Sequence, residues 1–185
     1  MDAAPAKTLA AFGFLTVLES AEHGLFGGYL VLSPQGRPLE FRCSTPVAAS
    51  RAQEILYGPT LRPYLFAEVI GRALVAGAEL DAAVILTDQR DMLPLALLRH
   101  EEVLLVREVT SEIELAEPTS SLIINGCEII ASSLSTKSTS ELAALLEPLA
   151  ANVYLAEPFQ RIIAALTEAQ LASHDAESMH DRAAA

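Results

Sequence analysis

The segment Gly27-Gly28-Tyr29-Leu30-Val31-Leu32-Ser33-Pro34-Gln35-Gly36-Arg37-Pro38-Leu39-Glu40-Phe41-Arg42-Cys43-Ser44-Thr45 decides how this chain folds. Two β-rich runs, Gly27–Leu32 and Leu39–Thr45, flank a hexapeptide whose Pro and Gly residues suit a tight reversal, so the pair is predicted to form a hairpin. In the second run Leu39, Phe41 and Cys43 alternate with Glu40, Arg42 and Ser44, and a period of two sends the sets to opposite faces. The apolar set is expected on the core. Upstream, Phe14–Glu19 reads as a third strand of the same antiparallel ribbon.

Beyond the ribbon the pattern turns helical. Thr45-Pro46 resembles an N-cap followed by Pro at the first helical position, with Gly58 as the stop. From Thr60 to Ala76, Leu61, Leu65, Val69 and Ala73 recur every four residues, and Gly77 ends the run. Ala82–Thr87 is continuously apolar, as in a central strand covered on both faces. Asp88 is placed to cap a short helix reaching Arg99, with Pro94 near its start. Val103–Val109 is the next strand, and Leu122–Ile124 and Glu128–Ala131 flank Asn125-Gly126, a strong hairpin signal because a type I′ turn needs positive φ twice. Ser138 with Glu141 fits a capping box, Pro148 should kink or end the helix that follows, and a last helix starts near Pro158 and frays beyond Leu171.

This order predicts an α+β protein, a largely antiparallel mixed sheet with helices packed on it. A roadblock-like or profilin-like arrangement is one concrete instance, an analogy resting on element order alone. Residues 1–10 are expected as a flexible N-terminus, 11–173 as one domain with any subdivision near 78–81, and 174–185, polar and aperiodic, as a disordered tail.

Of the 185 residues, 51% are hydrophobic, enough for a sizeable core, since each large aliphatic side chain removed from water contributes roughly 1.5–3 kcal/mol. With 12 Lys and Arg against 24 Asp and Glu the formal charge is −12, which opposes attraction to nucleic-acid backbones and anionic membranes. No apolar run is long enough to span a bilayer, and Met1–Thr8 lacks the positive start of a signal peptide. Cys43 and Cys127 have no CxxC partner, so neither a metal clip nor a disulfide framework is indicated, and a cytoplasmic location with reduced thiols is expected.

Chemistry-bearing residues are few. Gly24, Gly27 and Gly28 precede a strand instead of linking strand to helix, so they suit a bend or close backbone approach better than a phosphate loop. His23 reads as a turn residue, and His100, after Arg99, as a helix-end cation. His174, Asp175, Glu177 and His180 are ligand types in a segment with no fixed geometry. Neither cysteine has the electropositive setting of a nucleophile, and no GxSxG elbow is present. No catalytic residue, metal site or cofactor is assigned. The one polar constellation is Arg37, Glu40 and Arg42 on the hairpin with Arg51 and Glu54 on the helix after it, either structural ion pairs or a site for a small anion, for which the guanidinium fork is suited.

The stretches Gly27–Leu32, Gly36–Phe41 and Arg51–Leu61 are similar to a family of uncharacterised bacterial proteins. The resemblance covers the first third of the chain and implies no activity or site residue. Two functions are therefore carried forward. The leading expectation is a non-enzymatic cytosolic interaction or scaffold subunit, a homodimer or complex member with no nucleic-acid or membrane partner, in which the Pro158–Leu171 helix either serves as docking element or packs within the molecule. The alternative is a binding protein or enzyme for a small anionic ligand at Arg37, Arg42 and Arg51.

Overall fold

In the computed structural model, which describes residues 10–21, 24–109 and 121–183, seven strands make one sheet in the order β3-β2-β1-β4-β5-β7-β6. Strands β1 (Phe12–Ser20), β2 (Gly24–Leu32) and β3 (Pro38–Cys43) form the antiparallel ribbon expected from the sequence. Strands β4 (Val84–Thr87) and β5 (Glu102–Glu108) run parallel to β1. The hairpin of β6 (Ser121–Ile124) and β7 (Cys127–Ala131) closes the far edge. Its turn has φ of 50° at Asn125 and 79° at Gly126, the backbone that Asn-Gly favours. The fold is thus α+β on a mixed sheet with a parallel centre. The β1–β4 pair is parallel because a long helical crossover carries the chain from β3 to the opposite side of β1, and β4 and β5 are joined by a second crossover containing the 3-10 stretch Arg90–Leu97.

That crossover begins later than Thr45-Pro46 suggests. Val47 is held extended by two backbone hydrogen bonds with Leu25, 2.8 and 2.9 Å, so no helix can start there. Ser50 caps α1 (Arg51–Tyr57) instead, in a reciprocal box with Gln53. After one 3-10 turn a continuous helix follows, built of α2 (Leu61–Pro63), a π-wound stretch Tyr64–Gly71 and α3 (Arg72–Ala76). The Arg72 N–H reaches back to the Ala67 carbonyl, the wider spacing of π winding.

Helices cover both faces of the sheet. The first face carries Phe12, Phe14, Leu30, Val84, Leu86 and Leu104 against α4 (Thr139–Ala150) and α5 (Glu157–Ala183), with Phe14 and Phe159 edge to face at 5.4 Å. The second carries Leu15, Val17, Tyr29, Val31, Ile85 and Val103 against the π segment, α3 and a 3-10 stretch, Arg90–Leu97. Strand β4 is buried on both sides, as its uninterrupted apolar sequence implies. Ser138 and Glu141 make the capping box foreseen for α4, and Pro148 sits in its last turn. Helix α5 runs to Ala183, beyond the fraying point expected after Leu171, and its apolar residues Phe159, Ile162 and Leu166 pack within the molecule.

The alternation of β3 is present but its faces are exchanged. Leu39 and Phe41 are 49% and 41% exposed and Cys43 is exposed, whereas Glu40 and Arg42 turn toward the end of α3. Phe41 shares its face with Leu30, yet α5 packs mainly over β1 and β2 and reaches the edge strand near Cys43, beside Leu166 and Ala169. Leu39 and Phe41 are therefore left open to solvent. In β2, by contrast, the backbone is approached from both sides. A Cβ at Gly27 would collide with Ile70 and Leu74, and one at Gly28 with Ile162. Close approach is the role that these glycines suggested.

Candidate functional site

The chain runs outward from β1 to β3 and then returns to continue through β4 and β5 on the other side, so strand order reverses between β1 and β4. In open sheets with parallel strands, the carboxyl ends at such a reversal splay apart, and the loops leaving them diverge to make a crevice for ligands. The backbone ladder between these strands ends at Leu15 and Thr87. The next positions are Thr16 and Asp88, which by alternation lie on the α5 face with Phe14 and Leu86.

Thr16 is 1% exposed, and its Oγ1 is buried with no partner in hydrogen-bonding geometry. Asp88 is exposed as a residue, and its carboxyl lies by the Thr16 hydroxyl. Desolvation raises its carboxyl above the ordinary aspartate range, opposed by the nearby Thr16 hydroxyl and by its own backbone amide. A buried hydroxyl without a partner beside a displaced carboxyl is costly to keep in a merely structural role.

Gln89 completes this end of the sheet. Its Oε1 accepts from Val17 N at 2.9 Å, its Nε2 donates to Val17 O at 2.7 Å, and its own N–H reaches Thr87 Oγ1 at 3.2 Å. At the same end, on the opposite face, Arg62 pairs with Glu19 and with Asp91, each at 2.5 Å, and lies 4.4 Å over the Phe66 ring. The hydrogen bond from Arg62 holds the Glu19 carboxyl below its usual range. Arg62 is therefore already neutralised by two carboxylates.

The residues singled out from sequence lie elsewhere. The Glu40 carboxylate accepts from the backbone N–H groups of Glu79 and Leu80 at 3.0 to 3.1 Å, while Arg42 sits 3.6 Å from Glu40 and against Gly77 at the end of α3. Arg51 pairs with Glu54 at 2.8 Å on the exposed surface of α1. Arg37 stands at the hairpin turn beside Pro38, which pairs with Leu32, whereas the Arg51 helix follows Val47, which pairs with Leu25. Those two ends of β2 are separated by about 23 Å at the rise of an extended strand. The structure brings Glu40 to Arg42 and Arg51 to Glu54, and does not gather the three arginines.

Asp88 also departs from its expected role, since the 3-10 segment begins after Gln89 with no side-chain cap. His100 is no helix cation: it is exposed, 3.6 Å from Glu101, which Arg99 binds through two hydrogen bonds. His23 and the side chains of His174, Asp175, Glu177 and His180 lie outside the described residues. Among the described residues no group of three His, Cys, Asp or Glu side chains could hold a metal ion, and no helix is long and apolar enough to cross a membrane. Cys127 is buried, and desolvation raises its thiol, the opposite of an activated nucleophile.

Sequence reasoning missed Thr16, Gln89 and Arg62. The available signal was Asp88 itself, a carboxylate directly after the one strand whose sequence reads as central.

No family model and no curated protein matches the sequence. Solved structures do. Ciona intestinalis endonuclease V bound to a 23-mer DNA containing an inosine followed by a ribo-adenosine aligns over 76% of this chain and 77% of its own, with a TM-score of 0.48 and 12% identity. The same enzyme with a 24-mer of that kind aligns over the same shares, with a TM-score of 0.46 and 13% identity. Neither is a roadblock or profilin protein. Both neighbours are described as an endonuclease in complex with DNA, unlike the non-enzymatic scaffold or homodimer without a nucleic-acid partner expected from the sequence, and those expectations are not carried further. At this depth of likeness no residue and no activity passes from the neighbours to this chain.

Proposed function

We propose that this chain is a binding protein or an enzyme acting on a small polar ligand at the carboxyl ends of β1 and β4, where Asp88 and Thr16 meet it. The observation that carries the reading is the buried, unpartnered Thr16 hydroxyl beside a carboxyl raised by desolvation, at the point where strand order reverses. A raised carboxyl can hold or release a proton at milder pH than an ordinary aspartate, and the hydroxyl can donate or accept, so the pair suits a ligand presenting hydroxyl or amino groups.

The charge balance favours an uncharged or cationic ligand over an anion. Arg62 is shared by Glu19 and Asp91, and Arg37, Arg42 and Arg51 are dispersed over the β2–β3 turn, β3 and α1.

Thermal denaturation against a panel of sugars, polyols, amines, nucleosides and a short DNA oligomer tests this reading. A ligand at one hundred times its Kd raises stability by about 2.7 kcal/mol, which a shift in Tm reads directly. The expected result is a shift by one class that disappears in Asp88→Asn and weakens in Thr16→Val. A panel without any shift, or a shift that survives both substitutions, overturns the proposal.

A further inference from the structure

We propose that Gln89 is a positioning residue, whose side chain splices the end of β4 back onto β1 and thereby presents Asp88 to Thr16. The inference deepens the function proposed above and rests on it for the importance of Asp88.

Backbone pairing stops at Leu15 and Thr87, yet Val17, two residues further along β1, still has both its N–H and its C=O bonded. Both bonds go to one side chain. A primary amide offers an acceptor and a donor in one plane, so Gln89 reproduces with its side chain what a strand residue would do with its backbone. The Gln89 backbone is thereby freed to leave the sheet, and its N–H turns back to the Thr87 hydroxyl.

Asp88 is caught between these anchors. On one side Thr87 is fully buried in the ladder, and on the other Gln89 is tied to β1 at two points and to Thr87 at a third. These anchors fix the backbone of the intervening residue on both sides, and with it where the Asp88 carboxyl can lie relative to Thr16. Among the described residues no neighbouring charge contributes to its displacement, which comes from desolvation and is opposed by the nearby Thr16 hydroxyl and its own backbone amide. The setting of Asp88 is thus made by chain geometry, and Gln89 supplies the constraint that sequence neighbours alone would not.

The test follows the Asp88 carboxyl carbon by NMR across an acid titration of the full chain, in the wild type, in Gln89→Met and in Gln89→Asn. Methionine keeps the length and removes both hydrogen bonds, and asparagine keeps the amide on a shorter stem. Ser44→Ala serves as control, because Ser44 also accepts a bond from strand backbone, Gly27 N at 2.9 Å, far from Asp88 in sequence.

In both Gln89 variants the midpoint is expected to fall toward the ordinary aspartate value of 3.8, while the control leaves it in place. A folded Gln89 variant whose Asp88 titrates as in the wild type overturns the inference, and so does an equal fall in Ser44→Ala. If Gln89→Met does not fold, Gln89→Asn gives the same reading. None of these outcomes needs a ligand, so a failed ligand search and a failed positioning role are told apart.

Discussion

Two polar clusters bracket the second helical layer, and they differ in what they leave over. At the end of α3, Glu40 takes two backbone N–H groups, Arg42 lies beside Glu40 and against Gly77, and the edge strand is clipped to the helix. At the carboxyl ends of β1 and β4, Gln89 consumes both backbone groups of Val17 while Thr16 Oγ1 is left without a partner beside Asp88. The first cluster is richer in charge and closed. The second has less charge and an open hydrogen bond. Density of ionisable residues and leftover bonding capacity therefore point to different places in this molecule, and the site proposed above follows the second, because burying an unmet polar group costs free energy.

The contrast can be broken by experiment, beginning with its closed half. Glu40→Ala removes the acceptor for Glu79 and Leu80 N–H and is expected to lower unfolding free energy by roughly 1–3 kcal/mol in urea denaturation. A negligible loss would mean that this cluster is as idle as an ordinary surface pair. Arg62→Ala releases Glu19, Asp91 and the Phe66 face, and since these groups are about half exposed the loss is expected near 1 kcal/mol and shrinking with added salt. Because the folded Glu19 carboxyl is lowered, its contribution is present above its ordinary value of 4.5 and fades as pH falls through the folded one.

The open half should behave in the opposite sense. Thr16→Val replaces an unmet hydroxyl by a methyl group of similar size and is expected to stabilise by up to about 1 kcal/mol, a gain that natural folding forgoes. A clear destabilisation would show that the hydroxyl is satisfied after all. Asp88→Asn tests the pH behaviour of the pair. With the folded carboxyl raised, the native state holds its proton longer than the unfolded chain, so wild-type stability declines as pH climbs from 3.8 through the folded midpoint. The variant lacks this decline, and its advantage should appear only on the alkaline side of that window in parallel melts. Smallest of all, Arg51→Ala should change stability by less than about 0.5 kcal/mol, since its pair with Glu54 is surface exposed.

Much of the architecture could be read before any coordinates, wherever local chemistry and burial agree. The ribbon β1–β3, the doubly covered β4, the Asn125-Gly126 turn and the Ser138 capping box each rest on residues whose backbone preferences and neighbours point the same way. The misreadings occur where distant partners intervene. Val47 is held extended by Leu25, which delays α1 to Ser50, and Leu39 and Phe41 of β3 lie open because α5 packs mainly over β1 and β2. The parallel centre of the sheet follows from the side on which β4 docks, which no local pattern encodes. The candidate site was hidden for the same reason. Thr16, Asp88 and Gln89 are ordinary residues in sequence, 72 positions apart at the Val17–Gln89 contact, and acquire meaning only through the strand register.

The adjacent glycines of β2 have a mechanical consequence. At Gly27 the helix bearing Ile70 and Leu74 rests on bare backbone, and one residue later, on the reverse side, Ile162 of α5 does the same. The sheet is there only a peptide thick, so the two outer layers share a common wall with no side-chain cushion between them. A displacement of either helix at that pinch is transmitted to the other as directly as through a membrane stretched between them, and a single added methyl group would act as a wedge that prises a layer away.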